Sequence, residues 1–367
     1  MLQNNKIEED IFDFIEEYLI KENVCFEEIF AILDRIDNYN TKDIKEKLIV
    51  NFIAKNRNAD GFDRYHVILM IEYAKLFNEY PYELIKEAES NCEKAQELYL
   101  EYGLQDKYIQ SLLYETKAEI MSNDKDYEYD QVLELKKKCD YSLLAEQQLQ
   151  KAVDDENRVK IWKEAADSYR YVDNYKMQID CLEKSLAIII PVLNQYEFSK
   201  FDGDYWFLMG DLIRAYIQVG DFEKAKCNID NLYENAIEFY KGIENSDNSW
   251  ERIWNMGSIA EFYGECSLAE KAVNTYLTAM YIGLEKDNNQ YEILKDRDRN
   301  INICKISEAV NCLLEEEIES GIIDKVIDLK DTLVRYRDDY LGDKNTYDEI
   351  ISKINDRYQN QEIEFKK

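Results

Sequence analysis

The acids Asp124, Asp126, Glu128 and Asp130 stand at alternate positions, the one spacing in this chain that resembles a calcium-binding loop. Such a loop needs glycine at its sharp turn and a bidentate glutamate at its end. Tyr129 and Leu135 occupy those positions, so no calcium site is expected. The sole histidine, His66, lies in RYHVILMIEYAK, where Val67, Leu69, Met70, Tyr73 and Ala74 mark a buried helix face. With no nucleophile motif or metal companion beside it, His66 reads as a surface or partly buried helical residue rather than a catalytic base. The eight cysteines, at 25, 92, 139, 181, 227, 266, 304 and 312, include no Cys-x-x-Cys pair. That argues against a zinc or redox motif. Neither a P-loop nor Gly-x-Gly-x-x-Gly occurs. Acid runs such as Glu315-Glu316-Glu317 arise readily among 77 Asp and Glu, and no converging pocket gives them acid–base chemistry. A non-enzymatic chain without cofactor or metal is therefore expected.

The same residues say much about the elements that carry them. Only two prolines, Pro81 and Pro191, and eleven glycines interrupt 367 residues rich in Glu, Lys, Leu, Ile and Ala, which favours helix nearly throughout. Twenty-nine tyrosines suit half-buried helix faces, each joining a large apolar ring to a polar tip. The formal charge of −31 disfavours nucleic-acid phosphates and would attract a basic partner. The acidic N-terminus, MLQNNKIEEDIFDF, does not read as a secretory signal, and the longest apolar stretch, SLAIIIPVL, falls well short of a membrane span. A cytoplasmic location is expected from this and from the cysteine usage.

A period organises the middle of the chain. In MGDLIRAYIQVGDFEKAKCNIDNL, Met209, Leu212, Ile213, Tyr216, Phe222, Ala225, Ile229 and Leu232 keep helical spacing on either side of Gly220-Asp221, which predicts a helical hairpin. Trp162, Ala165, Ala166, Tyr169, Tyr175 and Leu182 match it upstream, and Met256, Ile259, Ala260, Tyr263, Ala269 and Ala272 match it downstream. Tyr169, Tyr216 and Tyr263 are spaced 47 residues apart, and the turns Asp173-Asn174-Tyr175 and Ser267-Leu268-Ala269 echo Gly220-Asp221-Phe222. A fixed period of this kind marks a solenoid. Fainter turns fall at Pro81-Tyr82, at Lys125-Asp126 and at Ser320-Gly321. Several cysteines share the second-helix register, and Cys227 among them is expected to pack in the hairpin seam. Single helices are predicted over 127–150 and 222–242, among others.

These hairpins resemble the tetratricopeptide repeat, in a long-helix variant whose period exceeds the usual ~34 residues. Gln178 departs from the motif's second-helix Ala, and Ser267 from its turn glycine. The resemblance implies an all-α fold, a right-handed α-α superhelix or solenoid of antiparallel hairpins. Its expected organisation is an N-terminal helical cap at 1–60, the array at 61–290, and a C-terminal repeat with capping helices at 291–367. The stretch NRNADGFD, at 56–63, is the expected joint between cap and array.

In the family, the concave wall is made from the first helix of each hairpin and binds peptides or helices. The corresponding wall positions here are Lys160, Lys163, Asp167 and Arg170, then Phe207, Gly210, Arg214 and Ile217, then Trp254, Gly257, Glu261 and Gly264. Lys160, Lys163, Arg170 and Arg214 would gather scarce positive charge on one wall, where charge-assisted hydrogen bonds could hold an acidic peptide or carboxylate. Phe207 and Trp254 would be its apolar anchors. Pairing of Lys160 and Lys163 with neighbouring acids is the competing account. The glycines Gly210 and Gly257 serve either close helix packing or room for a ligand backbone. The resulting expectation is a protein- or peptide-binding scaffold or adaptor. The alternative is an acidic decoy or inhibitor that engages a basic protein, or mimics nucleic acid, through its negative surface.

Overall fold

The computed structural model describes residues 26–35, 42–78, 84–124, 127–193, 202–241, 249–272 and 274–275, together with 330, 334, 345 and 348–356. The expected turns at Pro81-Tyr82, Lys125-Asp126 and Ser320-Gly321, and most of the expected C-terminal repeat and capping helices at 291–367, lie outside the described residues. The described residues are all-helical, without a strand. They divide into two compact units, Met1–Lys151 and Ala152–Lys367.

The first unit contains α1 (Phe26–Arg35), α2 (Lys42–Lys55), α3 (Phe62–Asn78), α4 (Ile85–Glu101), α5 (Lys107–Asn123), α6 (Tyr129–Lys136) and α7 (Tyr141–Leu149). The stretch 56–61 is a tight turn closed by Ala59 N–H donating to the Asn56 carbonyl and by Gly61 at φ 76°. Apolar residues on both sides of that turn share one core, in which Ile29, Leu48 and Phe52 meet Leu69, Phe77 and Ile85. The predicted single helix over 127–150 is instead two helices, α6 and α7. Its apolar pattern runs on without a break, but tertiary bonds interrupt the backbone ladder. Asp140 N–H donates to Ser111 Oγ of α5 at 3.1 Å, and the Tyr141 hydroxyl donates to Glu115 of α5 at 2.8 Å. The Asp140 carboxylate then accepts from Leu143 N–H and caps the new helix, an arrangement that typically stabilises by about 1 kcal/mol.

The second unit contains α8 (Asp155–Tyr171), α9 (Tyr175–Leu193), α10 (Asp202–Gln218), α11 (Phe222–Lys241) and α12 (Ser249–Glu265), and sequential neighbours pack on one another. Its hairpin corners repeat closely. Asp173, Gly220 and Ser267 take φ of 57°, 76° and 58°. At each corner the next residue's N–H reaches back to the carbonyl of the buried tyrosine, Asn174 to Tyr169, Asp221 to Tyr216 and Leu268 to Tyr263. This left-handed residue with a long back-bond satisfies carbonyls that a helix end would otherwise leave without partners. Tyr169, Tyr216 and Tyr263 are each 3% exposed, so the 47-residue spacing is carried into the packing. Leu182, Ile213 and Ile229 are among the fully buried side chains around them, and each such burial contributes about 1.5–3 kcal/mol.

Two seam expectations are corrected. Cys227 is exposed, whereas Cys92, Cys139 and Cys181 are buried. Phe222, at the first position of α11, is half exposed. Cys227, two residues on from Ala225, lies on the opposite side of the helix from the buried stripe formed by Ala225, Ile229, Leu232 and Ala236, whereas Phe222 keeps the register of that stripe but stands at the helix's first turn.

Candidate functional site

The expected wall residues of the second unit lie on α8, α10 and α12. α8 presents Lys160, Lys163, Asp167 and Arg170 at helical spacings of three and four, which put them on one side of the helix. α10 presents Phe207, Gly210 and Arg214 in the same way. The structure brings together Lys163, Arg170, Phe207 and Arg214. Phe207 is 66% exposed, and the Lys163 ammonium lies 5.7 Å from the centre of its ring, within the range of cation–π attraction.

Between the two arginines stands Asp211, a residue the sequence reading did not select. Its Oδ1 lies 3.4 Å from Nη1 of Arg170 on α8 and 3.4 Å from Nη1 of Arg214 on its own helix. Arg170 also meets Asp167, at 3.1 Å. Burial pushes the Asp211 carboxyl above its ordinary value, against the opposing pull of Arg170 and Arg214. Arg214 stacks its guanidinium 5.0 Å from the ring of Phe262, a buried residue of α12 that was also not anticipated. Gly210 sits at this junction, where an added Cβ would lie 3.6 Å from Phe262, an ordinary contact that leaves space for a side chain. Lys160 stands apart from the cluster, well exposed and 3.8 Å from Glu164. Trp254 belongs to α12, but its side chain lies outside the described residues.

The wall is therefore less basic than expected. Arg170 and Arg214 share Asp211, Asp167 takes the other face of Arg170, and the ammonium of Lys163 rests on an exposed aromatic ring. Such a surface can offer an apolar contact flanked by cations and can exchange internal carboxylates for those of a ligand.

His66 lies in the first unit, in a cleft of about 760 Å³ between α2, α3 and α4. Its Nδ1 is 2.9 Å from the Tyr102 hydroxyl, and its ring stacks 4.9 Å from Phe62. Burial, followed by the nearby charges of Arg57 and Lys94, holds the imidazole below its ordinary value. Asp124, the first acid of the calcium-like spacing, instead accepts from Lys86 at 2.8 Å. No helix among the described residues is long and apolar enough to cross a membrane.

A scan against protein-family models gives no match, and a search of curated proteins gives no relative.

Proposed function

We propose that the chain is a non-enzymatic scaffold of the tetratricopeptide kind, which binds a protein or peptide segment along the face of α8, α10 and α12. The observation that carries this reading is Phe207. A ring two-thirds exposed on a helix whose other apolar residues are buried or partly buried, with Lys163 on one side and the Arg170–Asp211–Arg214 cluster on the other, is an anchor flanked by charge. Exposed aromatic and arginine side chains are the residue types on which binding energy concentrates. The ligand this favours is an extended segment with an aromatic or aliphatic residue beside a carboxylate.

A peptide library displayed against the full-length protein tests the reading. Selected peptides should be enriched in acidic residues next to apolar ones. Lys163→Glu combined with Arg214→Glu should abolish their capture, and Phe207→Ala should weaken it at least tenfold. Asp211→Asn should act in the opposite sense, because it removes the internal competitor for two guanidinium groups. Recovery of one screened charge contact, about 1 kcal/mol, corresponds to roughly fivefold tighter binding. Failure to enrich acidic peptides, or capture of those peptides indifferent to all three changes, would refute the reading.

A further inference from the structure

Between α9 and α11, over α10, lies a cleft of about 440 Å³ whose walls include Glu183, Ile190, Tyr216, Asn228, Asn231 and Glu234. The next hairpin shows what this constellation holds. There the Tyr263 hydroxyl donates to Asp230 Oδ1 at 2.7 Å, and the ammonium of Lys271 donates to the same oxygen while lying 5.2 Å from the centre of the Tyr263 ring. Carboxylate, phenol and ammonium form one unit, and Lys271 lines a smaller cleft of about 350 Å³.

Forty-seven residues earlier the same carboxylate and phenol are present, because the Tyr216 hydroxyl donates to Glu183. The lysine in register, Lys224, keeps its position 5.1 Å from the Tyr216 ring, but its ammonium meets Asp221 at 3.8 Å. The Glu183 carboxylate thus faces its cleft from beside Tyr216, with the in-register ammonium directed to another acid.

The remaining polar groups are mostly acceptors. The Asn228 amide nitrogen donates to the Lys224 carbonyl at 2.9 Å, and that of Asn235 donates to the Tyr205 hydroxyl at 3.0 Å. Their side-chain oxygens remain for a ligand, together with the carboxylates of Glu183 and Glu234. Ile190, 42% exposed, and Ala187 supply an apolar strip beside them. A ligand that suits this cleft carries several N–H donors and a positive charge on a hydrocarbon stem, in an overall field of −31 that concentrates cations.

We propose that this cleft is a binding site for an aliphatic ammonium, which lies on Glu183 beside Tyr216 as Lys271 lies on Asp230 beside Tyr263. A lysine side chain of a basic peptide and a free polyamine share this chemistry. Titration of the full-length protein with spermidine in one arm and with an acetylated lysine-containing peptide in the other, at 150 mM salt and followed by calorimetry, distinguishes the sources. One arm or both should saturate at one site per chain.

Glu183→Gln should weaken that binding at least tenfold. Glu223→Gln removes the same charge from an exposed position on α11 and should leave affinity within twofold. Ala187→Lys supplies a check that does not depend on removing a native contact. It places an ammonium one helical turn beyond Glu183, the favourable order for such a pair, and should abolish binding with the thermal midpoint maintained or raised. The proposal is overturned if neither probe saturates, if Glu183→Gln binds as the wild type does, or if Glu223→Gln loses as much.

Discussion

Asp211 and His66 show how position, rather than residue type, sets what a side chain does here. A carboxylate between two guanidinium groups is ordinarily easier to ionise, yet burial outweighs the arginines and raises Asp211. His66 responds to burial in the opposite direction, since desolvation disfavours its charged form and Arg57 and Lys94 add to the effect. The native state therefore resists a proton that the unfolded chain accepts at the ordinary value of 6.5. The stability contributed by neutral His66 is fully present above that pH, and it is lost as pH falls from there through the depressed native value. Urea midpoints between pH 8 and pH 5 should consequently fall less steeply for His66→Gln than for the wild type. Equal slopes would show that the histidine titrates alike in the folded and unfolded chain.

At the scale of elements, the three corners at Asp173, Gly220 and Ser267 share one backbone geometry but not one cost. A residue with a Cβ in the left-handed region is strained by about 1–2 kcal/mol, and glycine is not. Ser267→Gly should thus stabilise the second unit by about 1 kcal/mol. Asp173→Gly should give less, because aspartate tolerates this conformation and its carboxylate accepts from the Tyr175 hydroxyl at 2.8 Å. Gly220→Ala should cost about 1 kcal/mol from conformation alone, since its added Cβ would meet nothing within 4 Å. Chemical denaturation of the three variants checks the order, and a destabilised Ser267→Gly would contradict it.

These corners were legible in the sequence because periodicity and turn chemistry are local, and most helices were legible for the same reason. The break between α6 and α7 was not, because bonds from Ser111 and Glu115 in another helix enforce it. The grouping of side chains on α8 and α10 was legible in part. Lys163, Arg170, Phe207 and Arg214 follow from register, whereas Asp211 was one acid among 77 until Arg170 was placed beside it. The Glu183 cleft needs two second helices held side by side, a relation that no spacing within one hairpin reports.

On the scale of the whole molecule, the excess of acid sets how stability should respond to salt. Most ion pairs among the described residues are exposed, many of them one helical turn apart, such as Lys137–Glu134, Arg158–Asp155 and Lys353–Glu349. Pairs of this kind contribute about 0–1 kcal/mol each. Against them stands the mutual repulsion of a chain with 46 basic and 77 acidic residues. Raising ionic strength from 0.01 to 0.15 M shortens the screening length from about 30 to about 8 Å. That weakens repulsion across the surface more than it weakens contacts of 3 to 4 Å. Salt should therefore stabilise the protein, by about 1–2 kcal/mol or a few degrees in Tm. All four tryptophans, at 162, 206, 250 and 254, lie in the unit Ala152–Lys367, so their fluorescence follows that unit while circular dichroism follows both. Both midpoints should rise with sodium chloride. A fall in either would mean that ion pairing, rather than repulsion, dominates the electrostatics of the structure that the probe follows.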